Sequence, residues 1–157
     1  MERKCILVIR IRGGVNVSHK NEDTLRMIRV DRNNFATLLD DRPEYKGMLQ
    51  RVKDYVTWGE PTVDTIKHLL EKRGKLYGDK PINEEALKAL GYDSIEALAL
   101  ALSSVEAQYH KLEGIKPFFR LSPPSKGFKN TVKRAYTNKG ELGYRGDAIN
   151  ELAYKMA

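Results

Sequence analysis

The stretch Lys4-Cys5-Ile6-Leu7-Val8-Ile9-Arg10-Ile11-Arg12 leaves this chain few choices. Its apolar residues recur with a period of two: Cys5, Leu7, Ile9 and Ile11 share one side, and Ile6 and Val8 share the other with Lys4, Arg10 and Arg12. That is the pattern of a strand with one face in a core and the other ending basic. The run is far shorter than the roughly 20 residues needed to cross a bilayer, and its early break at Arg10 argues against a signal peptide. No membrane partner is expected.

Beyond this strand the chain alternates in the manner of a layered α and β fold. Gly13-Gly14 breaks the strand, and Asn21 with Glu22 and Asp23 predicts a capped helix whose apolar stripe includes Leu25 and Ile28. A second strand is expected over Asn34 to Asp40. Pro43 then sits at a first helical position, and Tyr45, Met48, Leu49 and Val52 recur at helical spacing to about Asp54. Tyr55-Val56-Thr57-Trp58, closed by Gly59-Glu60-Pro61, predicts a third strand. Residues 1–60 therefore form a β-α-β-α-β core. Its two helices can cover one sheet face and leave the other for a further layer or a ligand.

Residues 61–113 read as a helical extension. Thr62 precedes a stripe of Val63, Ile66, Leu69 and Leu70 that stops at Gly74, and Asn83 caps a short helix ending at Gly91. Asp93-Ser94-Ile95-Glu96 resembles a capping box and opens a longer helix, with Ile95, Leu98, Leu102, Val105, Tyr109 and Leu112 on one side up to Gly114. Residues 114–157 form a third segment that packs on the core: a strand at Phe118 to Leu121, an irregular stretch from Pro123-Pro124 to Gly146, and a last helix carrying Ile149, Leu152 and Met156. The fold class is α+β.

Charge separates these segments more sharply than composition does. Residues 1–60 hold 12 Lys and Arg against 9 Asp and Glu, residues 61–113 hold 7 against 9, and residues 114–157 hold 9 against 3. The net charge of +7 is thus concentrated at the C-terminal end, which points to a polyanionic partner there. From Ile115 to Gly140 there is no Asp or Glu, while Lys116, Arg120, Lys126, Lys129, Lys133, Arg134 and Lys139 are interspersed with Phe128 and Tyr136. Cations set among aromatics in a Gly- and Pro-broken backbone suit a chain that tracks phosphates and stacks on bases or riboses. A basic loop without a partner is the competing reading.

Catalytic and metal chemistry find less support. His19, His68 and His110 fall on separate elements, and a lone thiol, Cys5 on a core-facing strand position, makes neither a disulfide nor a zinc site. A cytoplasmic location and no cofactor are expected. Arg12-Gly13-Gly14-Val15-Asn16 lacks the lysine and spacing of a phosphate loop and reads as a tight turn. Asp40-Asp41 just before Pro43 reads as favourable charge at a helix start. Gly47 lies inside a helix, where glycine costs about 1 kcal/mol relative to alanine. A close approach there, by the sheet or by RNA beside Lys46, would account for it. Trp58, with Tyr55, is expected in core or edge packing.

The motifs Val8-Ile9-Arg10-Ile11-Arg12-Gly13, Asp23-Thr24-Leu25, Tyr45-Lys46-Gly47-Met48-Leu49 and Tyr55-Val56-Thr57-Trp58-Gly59-Glu60-Pro61 together resemble large-subunit ribosomal protein thirty in its long archaeal form, whose eukaryotic counterpart is numbered seven. The likeness to the shared core covers about residues 1–60. Arg120-Leu121-Ser122-Pro123-Pro124 and Lys139-Gly140-Glu141-Leu142-Gly143 match the archaeal extension. The chain lacks a long basic N-terminal arm of eukaryotic type and far exceeds the short bacterial form.

The resemblance implies a small antiparallel sheet, similar to a ferredoxin-like arrangement, with helices on one face. It also implies a structural, non-enzymatic place in the large ribosomal subunit, against 23S rRNA close to 5S rRNA and neighbouring large-subunit proteins. Lys46-Gly47-Met48 matches the family's basic-glycine-methionine motif, and Arg10 and Arg12 its basic first strand. With the C-terminal cations, the expected RNA-binding set is Arg10, Arg12, Lys20, Arg42, Lys46, Gly47, Arg120, Lys126, Phe128, Lys129, Lys133, Arg134, Tyr136, Lys139 and Arg145. The rival readings are an RNA-modifying or nucleotide-using enzyme on a similar sheet, and a protein-interaction adaptor that works through its helical middle.

Overall fold

A computed structural model describes residues 4–13, 17–112 and 114–157. The turn expected at Gly13-Gly14, with Val15 and Asn16 after it, lies partly outside the described residues. Strand β1 (Cys5–Arg10) occupies the middle of the sheet, between β2 (Phe35–Asp40) and β3 (Val56–Gly59), and is antiparallel to both. Between these strands lie α1 (His19–Met27) and α2 (Pro43–Arg51), which completes the expected β-α-β-α-β core. The first helix starts earlier than Asn21: Ser18 is its N-cap, and its side chain accepts from the Asn21 amide.

Both faces of β1 are buried, because each has its own layer of helices. Ile6 and Val8 join Leu39 and Trp58 under Leu25 and Ile28 of the first helix and Leu49 of the second. Cys5, Leu7 and Ile9 face the opposite way, into a larger core built by the rest of the chain. That second layer is made by α3 (Val63–Arg73), α4 (Glu84–Ala89), α5 (Ile95–Ser103) and α6 (Ala148–Met156). The helices of the core thus cover one face, and the extension supplies the further layer on the other. Leu7, Ile9, Ile66, Leu69 and Leu98 have no exposed surface, and truncating such a side chain to alanine costs about 2–5 kcal/mol.

Three helix starts arise from capping residues visible in the sequence. Thr62, Asn83 and Ser94 each accept a hydrogen bond from the amide three residues on. The long helix expected to run on to Leu112 instead ends at Ser103. Ser104 donates its hydroxyl to the Ala101 carbonyl, and Val105 takes a positive φ of 63°. The turn lets Tyr109 re-enter on a short 3-10 segment and stack on Phe119 at 4.9 Å in the core. The apolar stripe is present, but tertiary burial of the Tyr109 ring breaks the helix expected to carry it.

The C-terminal segment is more regular than its composition suggested. Three short strands form there: β4 (Phe119–Arg120), β5 (Thr131–Ala135) and β6 (Gly140–Tyr144). The sheet order is β4-β2-β1-β3-β6-β5, with β6 parallel to β3 and β5 parallel to β6. The antiparallel core sheet therefore becomes a six-stranded mixed sheet. The acid-free segment starts on one edge, crosses the end of the last helix through bonds from Ser122 and Ser125 amides to the Met156 and Lys155 carbonyls, and finishes on the opposite edge.

Where β3 meets the start of α6, the backbones approach closely. A Cβ on Gly59 would overlap the Gly146 carbonyl oxygen and lie 3.0 Å from the Ile149 Cβ. Gly59→Ala is expected to destabilise the fold by about 3 kcal/mol through overpacking. Urea unfolding measures it, and an unchanged midpoint would mean the two segments separate freely.

Candidate nucleic-acid interface

Two of the arginines singled out above are not on the surface. Arg10 is 3% exposed, and its guanidinium donates to the Arg12 carbonyl at 2.9 Å and the Val30 carbonyl at 3.2 Å. Burial pulls its pKa below the usual arginine value. Arg145 is 8% exposed and donates from Nε to Thr57 Oγ1 at 2.7 Å and from Nη2 to Glu141 Oε2 at 2.7 Å, as well as to the Glu141 carbonyl. Both are buried and act as internal staples, unlike the exposed cations expected beside them. What keeps both guanidinium groups from an outside phosphate is burial, since each is held inside the fold by interior acceptors.

Other members of the set are held by neighbours but remain reachable. Arg42, the N-cap of α2, makes a bidentate pair with buried Asp40, with bonds between 2.8 and 3.0 Å, and lies 5.2 Å from the centre of the Tyr45 ring. Asp40 thus ends β2 and engages Arg42 instead of capping the helix, which corrects the reading of Asp40-Asp41. The hydrogen bonds that Arg42 donates to the Asp40 carboxylate raise the Arg42 pKa. Lys129 pairs with Glu151 at 3.3 Å. Phe128 is partly buried against the larger core. Arg12 is half-buried and Lys20 exposed.

Four cations stand apart. Lys126, Lys133, Arg134 and Lys139 are exposed, and among the described residues none has a carboxylate partner. Lys133 and Arg134 lie on β5, an edge strand with almost no burial, Lys139 follows it, and Lys126 lies in an earlier turn beside the end of α6. The first acid after this run, Glu141, is 4% exposed and occupied by Arg145 and the Asn130 amide, so it does not offset the patch. Tyr136 sits beside them, 39% exposed, with the Arg145 guanidinium 5.0 Å from its ring centre.

The Lys46–Gly47 segment borders a groove of its own. This groove, of about 430 Å³, separates α2 from β3 and β6 and is lined by Lys46, Leu49 and Gln50 on the helix and by Trp58, Glu60 and Tyr144 on the strands. Trp58 is 7% exposed and packs among the core residues, as expected of it, while Tyr144 is 52% exposed and donates to Glu60 at 2.8 Å. A Cβ on Gly47 would meet nothing within 4 Å. The sheet does not approach this glycine, so close packing against it does not account for Gly47.

Gly47→Ala separates these roles by sign. With free space around the new methyl, the free protein is expected to gain about 0.5–1 kcal/mol of stability from helix propensity. Binding to rRNA is expected to weaken, because the methyl occupies the approach. Thermal unfolding and filter binding measure the two; a variant that is both more stable and equally tight would remove Gly47 from the interface.

Sequence reasoning missed the exposed Tyr144 and the stacked Phe35–Phe118 pair. Neither gave a periodic signal, because the surroundings of these rings depend on long-range strand pairing. Among the described residues, no group of three or more His, Cys, Asp or Glu side chains could hold a metal ion, and no helix is long and apolar enough to cross a membrane. Cys5 is buried, and burial pushes its thiol up to about 12.

Known proteins resemble the chain along nearly its whole length. The profile of the ribosomal protein L30p/L7e family matches residues 6–56. "Large ribosomal subunit protein uL30" of Methanopyrus kandleri is 48% identical over 148 residues, spanning 93% of this chain and 99% of that one. The protein of the same name from Methanosphaera stadtmanae is 47% identical over 150 residues, 95% and 97% of the two chains. That of Korarchaeum cryptofilum is 47% identical over 152 residues, 96% and 94%.

Proposed function

The chain belongs to the ribosomal protein L30p/L7e family, and from that premise we infer that it is a structural constituent of the large ribosomal subunit that binds and stabilises folded 23S rRNA near 5S rRNA. The observation that carries the RNA-binding reading is the set of exposed cations on and around the β5 edge, Lys133, Arg134 and Lys139, with Lys126 in the preceding turn and no acid among them in the chain. A rigid mixed sheet holds that edge in place, so little conformational entropy is lost when phosphates are met. The α2 flank at Lys46–Gly47 adds a second contact surface.

Its role is that of a scaffold and not of a catalyst. The groove beside Trp58 pairs the Tyr144 hydroxyl with Glu60 but gathers no histidine, cysteine or serine beside them. Neighbouring ribosomal proteins would meet the helical extension, whose balance of 7 basic to 9 acidic residues disfavours RNA. Its working place is the cytoplasmic ribosome.

The test is association. Tagged chain expressed in an archaeal host is expected to sediment with the large subunit through a high-salt wash and to crosslink to 23S rRNA. A chain that leaves the subunit in the wash and crosslinks only to protein would establish the adaptor reading instead, and turnover of RNA or nucleotides would establish the enzyme.

A further inference from the structure

At the sheet edge opposite β5, two aromatic rings and a guanidinium form a layered surface. The Phe35 and Phe118 rings stack with centroids 4.9 Å apart and planes within 8° of parallel. The Arg120 guanidinium lies over the Phe118 ring, 5.9 Å from its centre, and the Arg120 side chain is 58% exposed. Strand alternation places all three on one side of the sheet: Phe119 points into the larger core, so Phe118 and Arg120 share the side on which Phe35 packs.

The surface is held rigidly from beneath. Phe35 pairs with Arg120 across β2 and β4, and the Leu121 amide donates to the Asn34 carbonyl at 3.0 Å. Thr37 Oγ1 donates to the Pro117 carbonyl at 2.9 Å, and Arg73 donates to the Arg120 carbonyl at 3.3 Å and to Ser122 Oγ at 2.7 Å. Exposed Arg32 starts the turn whose carbonyl accepts from the Phe35 amide. The nearby carboxylate, Asp79, is engaged by Lys116, which leaves it only a 4.0 Å contact to Arg120.

We propose that the Phe35–Phe118–Arg120 stack is a platform for an unpaired RNA base. Closing a sheet edge needs apolar contact only. Two partly buried parallel rings back a largely exposed guanidinium, so the edge offers a flat cation supported by stacked rings, which suits a flat, electron-rich base over a phosphate chain. The platform lies across the whole sheet from the β5 cations, five strand spacings or roughly 24 Å away, so it contacts a separate stretch of nucleic acid. This inference rests on the rRNA-binding role and adds a base-contacting site to it.

The test compares hexauridylate with the same sugar-phosphate chain lacking bases, each titrated against the full-length protein. The wild-type protein is expected to prefer the base-bearing strand by roughly tenfold. Phe118→Leu, which keeps apolar volume at the edge, and Arg120→Met should each bring the two affinities within about twofold of one another, with the abasic affinity changed little by Phe118→Leu. Phe118→Tyr should retain the preference. Circular dichroism checks folding, and if Phe118→Leu unfolds, Arg120→Met decides. Preference undiminished in the folded variants, or absent from the wild type, overturns the platform. Co-sedimentation with the large subunit is read separately, so the rRNA-binding role can stand while the platform fails.

Discussion

Glu141→Ala is expected to lower the free energy of unfolding by about 3–5 kcal/mol, the loss typical of breaking one side of a buried ion pair. Both side chains of the Glu141–Arg145 pair are 5% exposed, and they are joined at 2.7 Å. Removing the carboxylate leaves the Arg145 guanidinium in the interior with Thr57 Oγ1 and a carbonyl as its acceptors. It also frees the Asn130 amide, which Glu141 Oε1 accepts at 2.9 Å. One side chain thus links β6, the entry to β5 and, through Arg145, the core strand β3. Guanidinium-chloride unfolding measures the loss. Glu141→Leu combined with Arg145→Met should recover most of it, because apolar replacement of a whole buried pair is often neutral. A single variant as stable as the wild type would show that the C-terminal strands are held by packing alone.

The second large effect is on RNA binding. Replacing Lys126, Lys133, Arg134 and Lys139 together with alanine removes four exposed charges and no buried contact. Each phosphate contact contributes roughly 0.7–0.9 to the slope of log affinity against log salt, so the slope should fall by about 3. Stability should change little, by about 0.5 kcal/mol per site, since the side chains are exposed and alanine meets the same backbone demand as lysine at the positive-φ positions Lys126 and Lys139. Binding to a 23S rRNA fragment, titrated between low and moderate salt, measures the slope. A variant with an unaltered slope would place the phosphates elsewhere, and the same substitutions at Arg10 or Arg145 would damage the fold before they reported on RNA.

Local signals and long-range contacts divide the chain between them. The period-two run of β1, the stripes of Leu25 and Ile28 or Ile66 and Leu69, and the capping residues Thr62, Asn83 and Ser94 are local signals, and they led to the elements found. Ser18 displaced Asn21 as a cap because either residue type serves and only backbone geometry selects between them. The helix after Ser94 was cut short because burial of Tyr109 against Phe119 outweighed a continuous stripe. In the C-terminal segment, the glycines that argued for irregular chain instead flank or occupy short strands, which exist only because β3 and β6 offer neighbours to pair with.

Sequence alone determined the α+β class, the β-α-β-α-β core, the family likeness and the concentration of positive charge after Gly114. These depend on periodicity, capping and composition, which neighbouring residues carry within a few positions. Only the tertiary structure decided which charges are free. Arg145 is neutralised by a carboxylate four residues away but anchored by a threonine 88 residues away, and Arg10 is drawn to a carbonyl 20 residues away. Whether a cation meets a buried acceptor or open water is set by long-range pairing, and no local pattern in the chain records it.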